Sequence, residues 1–245
     1  DARGGVQRML DGCVIVAAVL FLLVPLAAVV LRGLMGLPEM PGSVFQAAGT
    51  SIVVAVLSIV LMLVLALPMA GWIVGRARGG VEAIGLLGLS ASPLMIGTGW
   101  FILINPYADP FDFALAVTVL VNAMMALPFA LRILVPPMRE TVQTYGRLSA
   151  SLGLGGWRLW RVVLLPRLRA QIGFAAGLTG ALSMGDLGVI ALFADPDRVT
   201  LPLHMMRLMG AYRMDAAAGA ALLLLGLSLG IFWLCDKGGR WRAEA

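Results

Sequence analysis

The chain has 245 residues, 60% of them hydrophobic and only 13% charged, about half the charged share of a soluble domain. Several apolar runs exceed the roughly 20 residues that cross a bilayer, so a soluble domain is excluded and a polytopic membrane protein is implied. The net charge of +5 comes mostly from arginines scattered over loops, a pattern of cytoplasmic loops rather than of a nucleic-acid surface.

In chain order the hydropathy predicts six transmembrane helices, at about 12–31, 50–74, 84–104, 113–135, 170–193 and 216–234. Each covers one hydrocarbon thickness at ~1.5 Å per residue. Span one is full length and is followed by a polar loop, so it reads as a span and not as a signal peptide. Beginning at Asp1, the sequence reads as a piece of a longer polypeptide. Pro25, Pro68, Pro93 and Pro128 fall inside four of the spans, where each frees a carbonyl that neighbouring helices or a cavity must satisfy. With both ends cytoplasmic, only Arg32, Arg198, Arg207 and Arg213 of the 18 basic residues lie outside, as the positive-inside rule requires.

Polar side chains inside the apolar runs are the candidate path residues. Asn122 in span four reads first as an interhelical hydrogen bond. In span five, Asp186 sits within Ser183-Met184-Gly185-Asp186-Leu187-Gly188. It snorkels to the outer surface, caps a helix broken at Gly185 or Gly188, or lines a translocation path with Ser183 and favours a cationic solute. The stretch from Ala194 to Asp215 reads as a polar loop of turn residues, with His204, the one histidine, at the surface.

Between spans four and five lies the longest basic, amphipathic segment, Tyr145 to Arg169, with Arg147, Arg158, Arg161, Arg167, Arg169 and no acid. Gly153, Gly155 and Gly156 divide it, because glycine costs a helix about 1 kcal/mol against alanine. It therefore reads as two short helices joined by a turn at the membrane surface, with Leu165-Pro166 opening the next helix. Several chemistries have no residues to carry them. There is one lysine, Lys237, and no glycine-rich lysine loop for nucleotide phosphates. No metal-binding spacing, no cofactor motif and no catalytic set occurs, and Cys13 and Cys235 read as reduced apolar residues. The chain is not an enzyme, and any ATP must be hydrolysed by another subunit.

The basic segment resembles the cytoplasmic coupling segment of ABC-importer permeases, Glu-Ala-Ala, three residues, Gly, nine residues, Ile-x-Leu-Pro. Gly153 on the pattern's glycine brings Val163 onto the Ile and Leu165-Pro166 onto the Leu-Pro. Arg147-Leu148-Ser149 stands where Glu-Ala-Ala is usual, which removes any ion pair from that position. The run from Ser183 through Phe193, Thr200-Leu201-Pro202 and Tyr212-Arg213 is similar to the second half of the thiamine ABC-importer permeases. The resemblance implies an all-α, type I ABC-importer permease fold made of one transmembrane domain over 1–245. It also implies a second permease half, fused or separate, a dimeric ABC ATPase, and a periplasmic binding protein that delivers thiamine or a thiamine phosphate. The ATPase-coupling residues it implies are Tyr145, Arg147, Leu148, Ser149, Leu152, Gly153, Val163, Leu165 and Pro166, within 145–166. Another solute such as ferric iron or a polyamine fits the same architecture. An ion-coupled secondary transporter fits less well, since one off-centre carboxylate and no evident inverted repeat are present.

Overall fold

The computed structural model describes residues 2–76, 92–193 and 199–240. Residues 84–91 of the expected third span lie outside it. So do Asp195, Pro196, Asp197, Arg78, Arg198, Arg242 and the side chains of Arg3 and Arg76. Among the described residues the chain is helical, and five helices are long and apolar enough to cross a membrane.

Helix α1 (Ala2–Gly36) leads through a 3₁₀ turn (Leu37–Glu39) to α2 (Ser43–Arg76). Helix α3 (Pro93–Ile104), the described part of the third span, starts at its proline, where the missing N–H is no loss. A 3₁₀ turn (Pro110–Phe113), capped by Asp109 Oδ1 on the Phe111 N–H at 3.0 Å, opens α4 (Ala114–Ser151). Segment α5 follows as an α-helical turn (Trp157–Leu159), a π-helical turn (Trp160–Leu164) and a second α-helical turn (Leu165–Arg167). Then come α6 (Arg169–Gly185), α7 (Gly188–Leu192), α8 (Leu201–Gly210) and α9 (Met214–Arg240).

Two expectations change. The fourth span and the first amphipathic helix are one 38-residue helix, running through Pro128, Pro136 and Pro137 without a break. At ~1.5 Å per residue it is roughly 57 Å long, far more than one bilayer core. The loop after span five is not turn chemistry throughout. Thr200-Leu201-Pro202 begins helix α8, with Pro202 in its first turn and Leu201, Pro202, Leu203 and Leu208 buried. Ser51 of α2 accepts the Leu201 N–H at 2.7 Å, so α8 folds back onto the N-terminal part of α2. His204 is half-buried rather than a free surface residue, its Nε2 3.1 Å from Ser43 Oγ. Burial, and then the positive charges of Arg207 and Arg213, push its pKa below the usual histidine value.

The core sits among α2, α4, α5 and α6, with Met62, Ala66, Ala70, Leu134, Met138, Leu164 and Leu168 fully or nearly enclosed. Two buried hydroxyls are satisfied within their own helices: Thr118 and Thr179 donate to the carbonyls of Ala114 and Ala175 one turn back, at 2.7 and 2.8 Å. The α6–α9 pair is held by backbone-to-backbone approach. A Cβ on Gly173 would lie 2.5 Å from the Cys235 carbonyl oxygen and 2.9 Å from Gly239 Cα. Neither neighbour is a flexible side chain, so the helices must separate to admit one. Gly173→Leu is therefore expected to lower the melting temperature of the detergent-purified protein by several degrees, as an overpacking cost of about 1–3 kcal/mol implies. An unchanged melting curve contradicts this packing.

Helix α1 is different. No residue of its most apolar stretch is fully buried among the described residues. Its C-terminal end joins the bundle, where Gly33 meets Leu222 and Gly36 meets the Asp215 backbone on α9.

Candidate functional site

The three candidate path residues meet in one cleft between α4 and α6. Its volume is about 410 Å³, and its wall includes Asn122, Ser183, Asp186, Met125, Phe129 and Pro93. Asn122 Nδ2 donates to Ser183 Oγ at 2.8 Å, which bears out the interhelical hydrogen bond expected of it. Ser183 Oγ in turn donates to Ser58 Oγ on α2 at 3.4 Å, and Ser58 Oγ to the Val119 carbonyl at 3.4 Å. Three helices are thus tied by a buried polar chain. Ser58 was not singled out from the sequence. Its only signal there is a hydroxyl in an apolar run, seven residues after Ser51 and so on the same helical face.

Asp186 lies in a break of the fifth span. Helix α6 stops at Gly185, Asp186 is extended at φ −74° and ψ 126°, and α7 resumes at Gly188. Asp186 Oδ1 accepts the Gly188 N–H at 3.2 Å, closing the turn. Its Oδ2 is buried and has no hydrogen-bond partner among the described residues. One oxygen thus caps the break, as one of the alternatives for Asp186 expects, and the residue also lines the cleft. A buried acceptor without a donor is costly, by about 1–3 kcal/mol.

The second candidate region is the turn between α4 and α5. Helix α4 ends in a Schellman motif: the Leu154 N–H donates to the Ser149 carbonyl at 2.8 Å and the Gly153 N–H to the Ala150 carbonyl at 3.1 Å. Gly153 takes the left-handed conformation this motif needs, at φ 66°. Ser149 is buried, Tyr145 half-buried, and Val163, Leu165 and Pro166 half-buried as α5 returns to the core. The guanidinium of Arg167 stacks over the Tyr145 ring at 3.9 Å and ties the two limbs together. Trp160 seats against Gly71 of α2, where no side chain could replace the glycine hydrogen. The π-helical turn at Trp160–Leu164 lets both Trp160 and Leu164 face the bundle.

The outer edge of the turn is apolar. Leu148, Leu152, Trp157 and Val162 are 56%, 65%, 73% and 60% exposed, with exposed Arg147, Arg158 and Arg161 around them. The same α4 that presents Leu148 and Leu152 carries Asn122, so a single rod runs from this patch to the cleft.

No family model matches the sequence. Curated relatives do. The chain is 35% identical over 98% of its length to the thiamine transport system permease protein of Brucella abortus, covering 45% of that protein. It is 36% identical over 94% of its length to that of Salmonella typhimurium and 35% identical over 94% to that of Escherichia coli, again covering 45% of each. It thus spans less than half the length of the curated relatives it matches. The relatives are transport permeases and not enzymes, in keeping with the absence of catalytic residues noted above. On identity, coverage and helical architecture together, the chain is a polytopic membrane protein homologous to just under half the length of the thiamine transport system permease proteins.

Proposed function

We propose that the chain is the second half of an inner-membrane permease in an ATP-driven ABC importer, and that it carries thiamine or a thiamine phosphate. The observation that supports this most is the match, along nearly the whole chain, to permeases named for thiamine transport. In this reading a periplasmic binding protein delivers the solute, the other permease half completes the path, and both ends of this segment face the cytoplasm. A dimeric ABC ATPase grips the Gly153 turn, whose exposed Leu148, Leu152 and Trp157 supply an apolar contact. Backbone and apolar contacts carry the dock, since Arg147 stands where an acidic residue is usual. Closure of the ATPase pushes the end of α4, and the continuous helix passes that displacement to Asn122 and the cleft, a rigid-body change between packed states. Asp186 gives the cleft a carboxylate that suits the positive charge of thiamine.

The test is uptake of labelled thiamine into proteoliposomes holding the full-length permease and its ATPase, with binding protein outside and ATP inside. Uptake that needs both ATP and binding protein is expected. Uptake driven by an ion gradient without ATP contradicts the reading.

A further inference from the structure

The polar chain across the cleft has a direction, and its last member sets it. The Val119 carbonyl can only accept, so the Ser58 hydroxyl must donate to it. With its one hydrogen spent there, Ser58 Oγ can only accept from Ser183. Ser183, its own hydrogen spent in turn, can only accept from Asn122 at 2.8 Å. That proton must come from the amide nitrogen. The orientation of a carboxamide is ambiguous by itself; here the direction of the chain, through its two 3.4 Å contacts, favours the nitrogen toward Ser183 and carbonyl Oδ1 turned from it. Asn122 and Ser183 both line the cleft, and with one N–H of the amide engaged by Ser183 the carbonyl Oδ1 is left to accept from a solute. Asp186 adds further acceptors, Oδ1 already on the Gly188 N–H and Oδ2 without a partner among the described residues. The rest of the wall includes Met125, Ala126, Phe129, Leu182 and Pro93, which offer neither donor nor acceptor side-chain groups of comparable strength.

We propose that Asn122 is a specificity-determining residue, its Oδ1 accepting an N–H from an exocyclic amino group on a cationic heterocycle, with Ser58 and Ser183 as positioning residues. The proposal rests on the reading of this cleft as the solute path. A solute with an amino group there gains a hydrogen bond. The same molecule with an oxo group turns a lone pair toward a lone pair, and leaves a buried acceptor unpaired.

Thiamine and its 4-oxo analogue make the comparison. The full-length permease and ATPase are reconstituted in proteoliposomes, and binding protein is saturated with either compound so that loading does not differ. The translocation rate is read per loaded binding protein. Thiamine is expected to move roughly 10-fold faster than the oxo compound, the effect of one hydrogen bond of ordinary strength. Asn122→Leu should bring the ratio to about 1 by removing the acceptor. Ser58→Ala keeps Asn122 but frees Ser183 to donate and the amide to turn over, and should lower the ratio to about 3 or less with the melting temperature little changed. If Asn122→Leu fails to insert, Ser58→Ala carries the test. Equal rates in the unaltered protein, or an unchanged ratio in Ser58→Ala, overturn the proposal. If the unaltered protein moves neither compound with ATP, the permease reading itself fails.

Discussion

Leu152→Asp is expected to strip the ATPase from the purified full-length permease, lowering its recovery at least about 10-fold while membrane insertion stays normal. Leu152 is the C-cap of α4 and 65% exposed, so its replacement should leave the fold intact. Burying a leucine against a partner contributes about 1.5–3 kcal/mol. A carboxylate in its place must be desolvated without a compensating donor, which adds to the loss. Gly153→Trp should act as strongly, for two separable reasons. Its φ of 66° costs a side-chain-bearing residue about 1–2 kcal/mol. Nothing lies within 4 Å of a Cβ built there, so the extra volume meets only an outside partner. Gly153→Ala, with the strain but little of the volume, should fall between. Normal co-purification of the ATPase with inserted Leu152→Asp protein rules out the turn as the docking surface.

Asp186→Asn is the second large effect. The asparagine carbonyl can still accept the Gly188 N–H, so the break between α6 and α7 should survive and the melting temperature should change little. What disappears is the charge. Two unit charges about 4 Å apart at an effective dielectric near 20 interact by roughly 4 kcal/mol. Losing that attraction along the path should cut thiamine uptake about 10-fold or more, with ATPase association retained. Unchanged uptake with normal stability leaves Asp186 as a cap and nothing else. Asp186→Ala separates the roles further, because it removes cap and charge together and should lower both uptake and stability.

The spans were legible because a bilayer imposes a length and a hydropathy that no packing detail can override. The same logic hid the length of α4. Hydropathy falls after Val135, and the Pro136-Pro137 pair follows, so the sequence reads as a span that ends there. The helix nevertheless continues to Ser151, its Leu134 and Met138 sharing one buried cluster with Leu164 of α5 and with Leu168, which precedes α6. Helix α8 was hidden by its composition. Thr200-Leu201-Pro202 carries turn residues, yet a proline in a first turn also starts a helix, and Leu201, Leu203 and Leu208 mark its buried face. The cleft was half legible. Asn122, Ser183 and Asp186 stand out as polar groups in apolar runs, but only the tertiary fold shows that they share a wall and that Ser58 joins them. Gly153 was legible as a turn, and the Schellman bonds give the reason a glycine stands there.

The turn's position relative to the membrane and the motor can be read from one residue. Ala150 is exposed on the last turn of α4, two residues before the C-cap. In a full-length permease lacking its native cysteines, Ala150→Cys is treated with a membrane-impermeant maleimide in right-side-out and in inverted vesicles. Labelling only in inverted vesicles, and suppressed when the ATPase is bound, is the expected result. Labelling from the periplasmic side, or labelling indifferent to the ATPase, contradicts a cytoplasmic lever gripped by a motor.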